Sequence, residues 1–316
     1  MRLIVNIPAY NEEEKIGQTI KRIPRSFEGI SEVLVQVIDD GSKDRTIEVS
    51  REAGADFVYA NGVNRGIGKT FRHAVERALE NRADIMVNID ADGQFDPTDI
   101  EKLIRPILNQ TADMVSADRF TESSAENIPW IKSVLNRFAA RLIGGFMNTV
   151  IPDLTCGFRA HSRETLLRLN LPGDFTYTQE VIIDALGKNL KIAFVPVTVT
   201  YFADRQSRVV KSVFGYINNS FRIILKAVRD VRPMKFFGIP GLILMFISVG
   251  LFTAFLVHYF QDWKITPYRN YLIASLATFV IGLQFFVFAL MADMIKTNRR
   301  LTEDMMYFAK KEKYSR

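Results

Sequence analysis

The chain has 316 residues, is 48% hydrophobic and carries a formal net charge of +6 at pH 7, so it can bury the core of one large domain or two. Its single cysteine, Cys156, excludes a disulfide framework and a zinc site of the usual cysteine type. The basic balance points to an anionic partner, with nucleic acid, anionic lipid and phosphate as the candidates.

The apolar run Met1–Pro8 is too short for a signal peptide and reads as a first strand, which places the soluble part in the cytoplasm. Up to about residue 118, short apolar runs alternate with helix-period segments. The predicted strands are Leu3–Ile7, Val33–Ile38, Phe57–Ala60, Ile85–Ile89 and Met114–Ala117. The predicted helices are Glu13–Ile23, Arg45–Ala53, Lys69–Arg82 and Thr98–Leu108. In the third helix Phe71, Ala74, Val75, Ala78 and Leu79 fall on one stripe. Such alternation implies a mainly parallel sheet covered on both faces, with ligands bound beyond the carboxyl ends of its strands.

Polar clusters fall at those ends: Pro8–Glu12 after the first strand, Asp39–Ser42 after the second, Asp90–Asp92 after the fourth. The fourth is the most demanding. Asp90, Asp92 and Asp96 follow an apolar strand directly, and neighbouring carboxylates at a partly buried edge repel one another unless something positive joins them. A hard divalent cation such as Mg²⁺ or Mn²⁺ would do so and leave positions for substrate phosphate. The other reading is a solvated loop whose acids cap the helix starting near Pro97.

Gly66-Ile-Gly-Lys-Thr70 imitates the end of a phosphate loop, but the required earlier glycine is Val63, and Gly62 misses the register by one. Arg65 and Lys69 remain candidates to face a diphosphate.

Residues Ile128–Val150 show a helix pattern with Ile131, Leu135, Phe138, Leu142 and Phe146 on one side. Asp153–Arg159 follows, then a helix from Ser162, a helix near Gln179–Asn189 and a strand Ile192–Tyr201. Ser207–Arg232 is amphipathic, with Val210, Phe214, Ile217, Phe221, Ile224 and Val228 at helical spacing. It leads into the uncharged runs Phe236–Phe260 and Tyr271–Ala292. At about 1.5 Å per residue each is long enough to cross a hydrocarbon layer of about 30 Å, and two in tandem read as a membrane hairpin. Arg229, Arg232 and Lys235 precede the first run, and Lys296, Arg299, Arg300, Lys310, Lys311 and Lys313 follow the second. The positive-inside rule then puts both termini in the cytoplasm, with basic amphipathic segments at the membrane surface.

In this order and spacing, Ile7–Glu12, Ile38–Asp44, Asn64–Gly66, Asp90–Gln94, Asp118–Phe120, Asp153–Arg159 and Arg205–Lys211 make the chain resemble the family-2 glycosyltransferases of GT-A fold. Specifically it is similar to their polyprenyl-phosphate group, which includes dolichyl-phosphate mannose synthase and undecaprenyl-phosphate glucosyltransferases. The resemblance covers nearly the whole chain. It implies an α/β fold: a GT-A domain over 1–204 with an interface helix near 128–150, a juxtamembrane helix over 205–235, two spans over 236–294 and a basic cytoplasmic tail over 295–316.

The resemblance also implies roles. Pro8, Tyr10 and Glu12 would wall a nucleotide pocket, with Asp40 reaching the base, Asp39, Arg65 and Lys69 also on the nucleotide side and Asp90 on the ribose or metal side. Asp90, Asp92 and Gln94 would hold Mg²⁺ or Mn²⁺. Arg119, Lys132, Asn136, Arg205, Arg208 and Lys211 would surround a lipid phosphate. Lys132 stands where an arginine is frequent, and Arg208 and Val210 where a glycine and a serine are. Asp92, Asp153 and Arg119 would be catalytic, Asp153 as a base or as an orienting group, with Glu180 and a mere turn cap as alternatives. His73, His161 and His258 read as incidental.

The expected reaction is an inverting transfer of a hexose from a nucleotide diphosphate sugar, GDP-mannose or UDP-glucose in type, to a polyprenyl phosphate. A phosphate monoester is already an anionic nucleophile at neutral pH, which suits a site rich in Arg and Lys and poor in histidine. Expected partners are the sugar nucleotide, the polyprenyl phosphate and membrane lipid, without nucleic acid, in a homotetramer by analogy. Rival readings are a processive polysaccharide synthase, disfavoured by the lack of a Gln-x-x-Arg-Trp stretch, and a non-catalytic sugar-nucleotide-binding scaffold.

Overall fold

The computed structural model describes residues 1–120, 147–170, 177–200, 232–266 and 268–315, with scattered helical positions in 137–145 and 222–229. Two compact units form: Met1–Ile224 together with Met305–Arg316, and Leu225–Asp304.

The first unit holds a seven-stranded sheet. Its strands are β1 (Arg2–Ala9), β2 (Glu32–Asp39), β3 (Phe57–Ala60), β4 (Ile85–Asn88), β5 (Met114–Asp118), β6 (Arg159–Ser162) and β7 (Ile192–Pro196), in the order β3-β2-β1-β4-β6-β5-β7. All neighbours are parallel except at β6, which runs antiparallel to β4 and β5. Helices α1 (Ile16–Arg22), α2 (Thr46–Glu52), α3 (Ile67–Glu80) and α4 (Ile100–Leu108) are the crossovers. Val5, Val35, Val87, Ile20, Leu103 and Ile104 lie in the fully desolvated core, as continuous apolar strands between helical layers require.

The strand β6 lies where the sequence predicts a motif running straight into a helix at Ser162. Its sequence, Arg-Ala-His-Ser, is polar at alternate positions yet buried. It is made a strand by pairing with β4 and β5, since the ladder fills the backbone groups that burial would strand. The closing strand is shorter than its apolar pattern, ending at Pro196, with Val199 making an isolated antiparallel bridge to Phe95.

Polar side chains also cross the sheet in one row. Gln36, Asn6, Asn88, Arg159 and Ser116 are register partners on successive strands, and all are fully buried. Gln36 donates to Asn6 Oδ1 (3.0 Å), and Asn6 donates to Asn88 Oδ1 (2.7 Å). Arg159 donates to Ser116 Oγ (3.2 Å) and to the carbonyls of Leu154 (3.1 Å) and Thr178. A slip of one residue would break these bonds, so the row fixes register, although Gln36 Oε1 stays buried without a partner among the described residues.

The end of the chain also belongs to this unit. Tyr307 donates to Glu164 Oε2 (3.1 Å), and Lys310 donates to the Leu169 carbonyl and Asn170 Oδ1 (2.9 Å each). Arg163 donates to the Tyr314 carbonyl (2.7 Å), and the Arg168 guanidinium lies over the Tyr307 ring at 4.5 Å. The residues expected to form a basic tail are thus helical to Lys313, with their last turns tied to the sheet domain.

In the second unit, helices Pro233–Asp262 and Arg269–Lys313 are long and apolar enough to span a membrane, and only 17% of each apolar window is buried. A core helix of a water-soluble protein would be mostly covered. The helices pair along heptad-spaced small or packed positions: Gly241, Ser248 and Phe255 on one, Ser275, Gly282 and Ala289 on the other. Ser248 donates to the Ser275 carbonyl (2.7 Å), and a methyl group on Gly241 would stand 3.1 Å from the Gly282 carbonyl oxygen. Small residues let the backbones approach this closely. Ile243, Phe246, Ile281 and Leu283 point outward and are exposed.

Candidate active site

The carboxyl edge of the sheet gathers the polar clusters. The segments after β1, β2, β4 and β5 leave from it, and because β6 is antiparallel, the segment before it, Asp153–Phe158, arrives at the same edge. That reversal joins two sets of residues far apart in sequence.

On the side of β1 and β2 the two loops are laced together. Ser42 Oγ accepts from the Asn11 amide (2.9 Å), Asn11 Oδ1 from the Lys43 amide (2.8 Å), and Thr46 Oγ1 from the Glu12 amide (2.9 Å). Pro8, Tyr10 and Glu12 stand half-buried along this edge. Asp39 is buried; its Oδ2 accepts from the Gly41 and Ser42 amides (3.0 Å each), while Oδ1 has no partner among the described residues. Asp40 pins the next loop, accepting from the Arg65 and Gly66 amides and from Asn61 Nδ2 (2.9 Å each). Asp40 thus takes the Gly66 amide, and the Lys69 and Thr70 amides turn back onto the Gly66 carbonyl, in accord with the failed motif. Gly41, at φ 78°, lies so close to this loop that a methyl group there would meet the Val63 carbonyl carbon at 2.5 Å. Arg65 and Lys69 are exposed.

Beyond β4 the three acids divide. Asp96 caps the following turn, accepting from the Thr98 amide (2.9 Å), and pairs with Arg22 at 3.2 Å. The Thr98 amide, outweighing partial burial, holds the Asp96 carboxyl below the usual range. Asp92 closes a tight turn by accepting from the Gln94 amide (3.1 Å), with Gly93 at φ 73°. Asp90 lies against Gly157: a methyl group there would come within 3.4 Å of both Asp90 carboxylate oxygens and 3.1 Å of the Tyr177 hydroxyl. Tyr177 stacks on Phe71 at 4.1 Å and accepts from Asn88 Nδ2 (2.8 Å). Burial, and then the negative charge of Asp90, push its phenol well above the usual range, so it stays a neutral hydroxyl.

Across β6 lies an ion pair. Arg119 Nε donates to Asp153 Oδ2 (2.7 Å) and its Nη2 donates to Asp153 Oδ1 (3.0 Å) and Thr155 Oγ1 (2.8 Å). Asp153 is fully buried, whereas the Arg119 side chain keeps 16% of its surface open. Arg159 holds the Leu154 carbonyl beside it. Cys156 sits among these groups as an inert thiol, its pKa pushed up to about 12 by burial.

The donor set Asp90, Asp92 and Gln94 is all oxygen and therefore of the kind that Mg²⁺ or Mn²⁺ takes; no third acid, histidine or cysteine joins it among the described residues. Two carboxylates leave room for diphosphate oxygens. Lys132, Asn136, Arg205, Arg208 and Lys211, expected around the acceptor, lie outside the described residues, as does most of the amphipathic segment before the first span.

Several residues that support this edge are not singled out by the sequence: Asn88, Tyr177, and Asn61 with His73. A signal existed for the first, since Asn6, Gln36 and Asn88 interrupt apolar strands at positions that align once the strands pair. Of the histidines expected to be incidental, His73 is bonded into the Asp40 loop, while His161 is buried with neither ring nitrogen partnered among the described residues.

Residues 4–169 match the family model for glycosyl transferase family 2. Among characterised relatives, the glycosyltransferase AglJ of Haloferax volcanii is 29% identical over 93% of each chain. The dolichol-phosphate mannosyltransferase of Pyrococcus furiosus is 29% identical over 79% of this chain and 74% of its own. Glucosyl-3-phosphoglycerate synthase of Mycobacterium tuberculosis, solved with Mn²⁺, uridine diphosphate and its product, shares the fold at a TM-score of 0.56 and 21% identity, covering 73% of this chain and 79% of its own. With its mostly parallel α/β sheet of GT-A type, the chain belongs to glycosyl transferase family 2.

Proposed function

We propose that the enzyme transfers a hexose from a nucleotide diphosphate sugar to a polyprenyl phosphate at the cytoplasmic membrane face, with inversion and with a divalent cation. The observation that carries this reading is the meeting, at one sheet edge, of the Asp90/Asp92 carboxylates and the Arg119–Asp153 pair. The first suits a donor diphosphate, the second an anionic acceptor. The named activities of relatives, including the Pyrococcus dolichol-phosphate mannosyltransferase and a Methanococcus voltae dolichyl-phosphate N-acetylglucosaminyltransferase, support the acceptor class.

In this reading Pro8, Tyr10 and Glu12 line the nucleotide, and the Oδ1 of Asp39, without a partner among the described residues, accepts an N–H of the base, with Asp40 holding the loop of Arg65 beside the diphosphate and Lys69 following on the first turn of α3. Asp90, Asp92 and Gln94 would hold the cation, which supplies charge neutralisation to the departing nucleotide diphosphate. Asp153 fixes the plane of the Arg119 guanidinium, which brings its positive charge to the sheet edge where the acceptor phosphate is received. Bound in this way Asp153 serves as an orienting group, and the acceptor phosphate attacks unaided by a base because it is ionised at neutral pH. Lys132, Asn136, Arg205, Arg208 and Lys211 complete the acceptor side.

Domain limits follow the same reading: a catalytic domain over 1–204, a surface-bound segment over 205–235, a hairpin over 236–294 and a carboxyl-terminal segment over 295–316. The bonds from Tyr307, Lys310 and Tyr314 to the sheet domain support placing the carboxyl terminus on the catalytic side of the membrane, as two spans require.

The test is to incubate membranes holding the enzyme with polyprenyl phosphate and a panel of labelled nucleotide sugars. An acid-labile glycolipid of inverted anomeric configuration from one donor is expected. A water-soluble or polymeric product would overturn the proposal.

A further inference from the structure

One chain of hydrogen bonds runs from the outer face of α3 to the loop that Asp40 pins. Arg77 Nε donates to His73 Nε2 at 2.9 Å. Arginine can only donate, so Nε2 is the acceptor and the imidazole proton resides on Nδ1. Nδ1 donates to Asn61 Oδ1 at 2.7 Å. That bond settles which end of the Asn61 carboxamide is oxygen, and its Nδ2 then donates to Asp40 Oδ1 (2.9 Å) and to Thr70 Oγ1 (3.2 Å). Asp40 in turn receives the Arg65 and Gly66 amides. The far end is braced as well: Arg77 lies over the Tyr59 ring at 4.8 Å and pairs with Glu80 at 2.7 Å, and Asn81 donates to the Tyr59 hydroxyl at 3.0 Å.

We propose that His73 is a positioning residue for the donor: as the neutral Nδ1–H tautomer it sets Asn61, and through Asn61 it holds Asp40 and the loop of Arg65 in the geometry that receives the sugar nucleotide. The inference rests on the donor-side reading above. The pattern has no reason to be polar for folding alone, because an apolar side chain at position 73 would fill the same half-buried space on α3.

The chain has one weak link. A proton on Nε2 would remove the acceptor that Arg77 uses and set two cations face to face. The groups around the ring are Arg77, Glu76 and Glu80 on α3, Arg65 from the loop and Tyr59 from β3. Partial burial first, and then the Arg77 charge, hold the imidazole below its ordinary range, which keeps it neutral through the physiological span.

The experiment uses the full-length enzyme in detergent, with polyprenyl phosphate and the nucleotide sugar found by the panel assay, and follows kcat and both KM values from pH 8 to pH 5. His73→Phe is expected to raise the donor KM about tenfold at pH 7.5, the size of one lost hydrogen bond, with kcat moved less than twofold and the acceptor KM unmoved. In the wild type the donor KM should climb as His73 takes a proton, and in Arg77→Met that climb should begin at higher pH, because the neighbouring cation is gone. A folded His73→Phe enzyme with the wild-type donor KM overturns the inference, as does an equal loss on both substrates. Should His73→Phe not fold, an Arg77→Met profile superimposable on the wild type overturns it. A wild-type enzyme that turns over no nucleotide sugar overturns the donor-side reading itself, and this inference with it.

Discussion

Arg119 and Asp153 face one another through two parallel hydrogen bonds, Nε to Oδ2 at 2.7 Å and Nη2 to Oδ1 at 3.0 Å, with the carboxylate fully buried and the guanidinium partly open. A carboxylate gripped on both oxygens is a poor base and a good orienter. Asp153→Ala strands the arginine charge, so we expect a loss of about 3 kcal/mol in stability together with a collapse of turnover. Asp153→Asn keeps much of the shape and should fold better while still losing at least tenfold in kcat. Chemical denaturation and steady-state assays of both variants check this. Full activity in Asp153→Asn would show that the pair does not orient the reacting groups.

Gly157 separates Asp90 from the Tyr177 hydroxyl. In Gly157→Ala the new methyl group falls 3.1 Å from that hydroxyl, which must give by a few tenths of an ångström, and it packs at 3.4 Å against both oxygens of Asp90 beside it. Misplacement on this scale slows chemistry far more than it unsettles a fold, and kcat should fall by about tenfold to a hundredfold with the melting temperature nearly unchanged. The variant should also need more Mn²⁺ for half-maximal rate. An unaltered metal titration would separate Asp90 from cation binding.

His161 supplies a pH test of stability. Burial first, and then the Arg159 charge, bring its pKa down to about 3 in the folded chain. The folded pKa lies below the unfolded value, so the contribution is whole above about pH 6.5 and is lost as the pH falls toward 3. Replacing His161 with Leu removes the group that must stay uncharged. Relative to the wild type, His161→Leu should therefore gain about 2 kcal/mol on going from pH 7 to pH 5, with the sign reversed if the imidazole is charged in the folded state.

Much of this arrangement is readable in the sequence, and the exceptions have physical causes. The strands β1, β2 and β4 announce themselves because apolar runs meant for both faces of a sheet have few other uses. Asp90 and Asp92 are conspicuous for the opposite reason, as acids straight after such a run. Strand β6 is silent, because Arg159 and His161 carry no apolar signal and are buried by what pairs with them. The Arg119–Asp153 pair joins segments that only the antiparallel strand brings together. His73 looked incidental because each of its partners is an ordinary polar residue until α3 packs beside the loop after β3.

The hairpin gives a mechanical prediction. Gly282 has Met245 Cγ and the Gly241 carbonyl oxygen at 3.0 and 3.1 Å from where a methyl group would stand. Backbone cannot yield there, so Gly282→Leu should part the helices and destabilise the detergent-solubilised enzyme by about 1–3 kcal/mol. Leu283→Ala, one residue away on the exposed side, should leave thermal stability within about 0.5 kcal/mol. Equal effects from the two would mean that the pairing face is elsewhere.

The most direct measurement follows label from the sugar nucleotide into chloroform-extractable lipid with purified enzyme and polyprenyl phosphate, before and after chelation. We expect glycolipid from the wild type, none after chelation, recovery with Mg²⁺ or Mn²⁺, and none at any metal concentration from Asp92→Ala that remains folded. Undiminished glycolipid from Asp92→Ala would contradict the account at its centre.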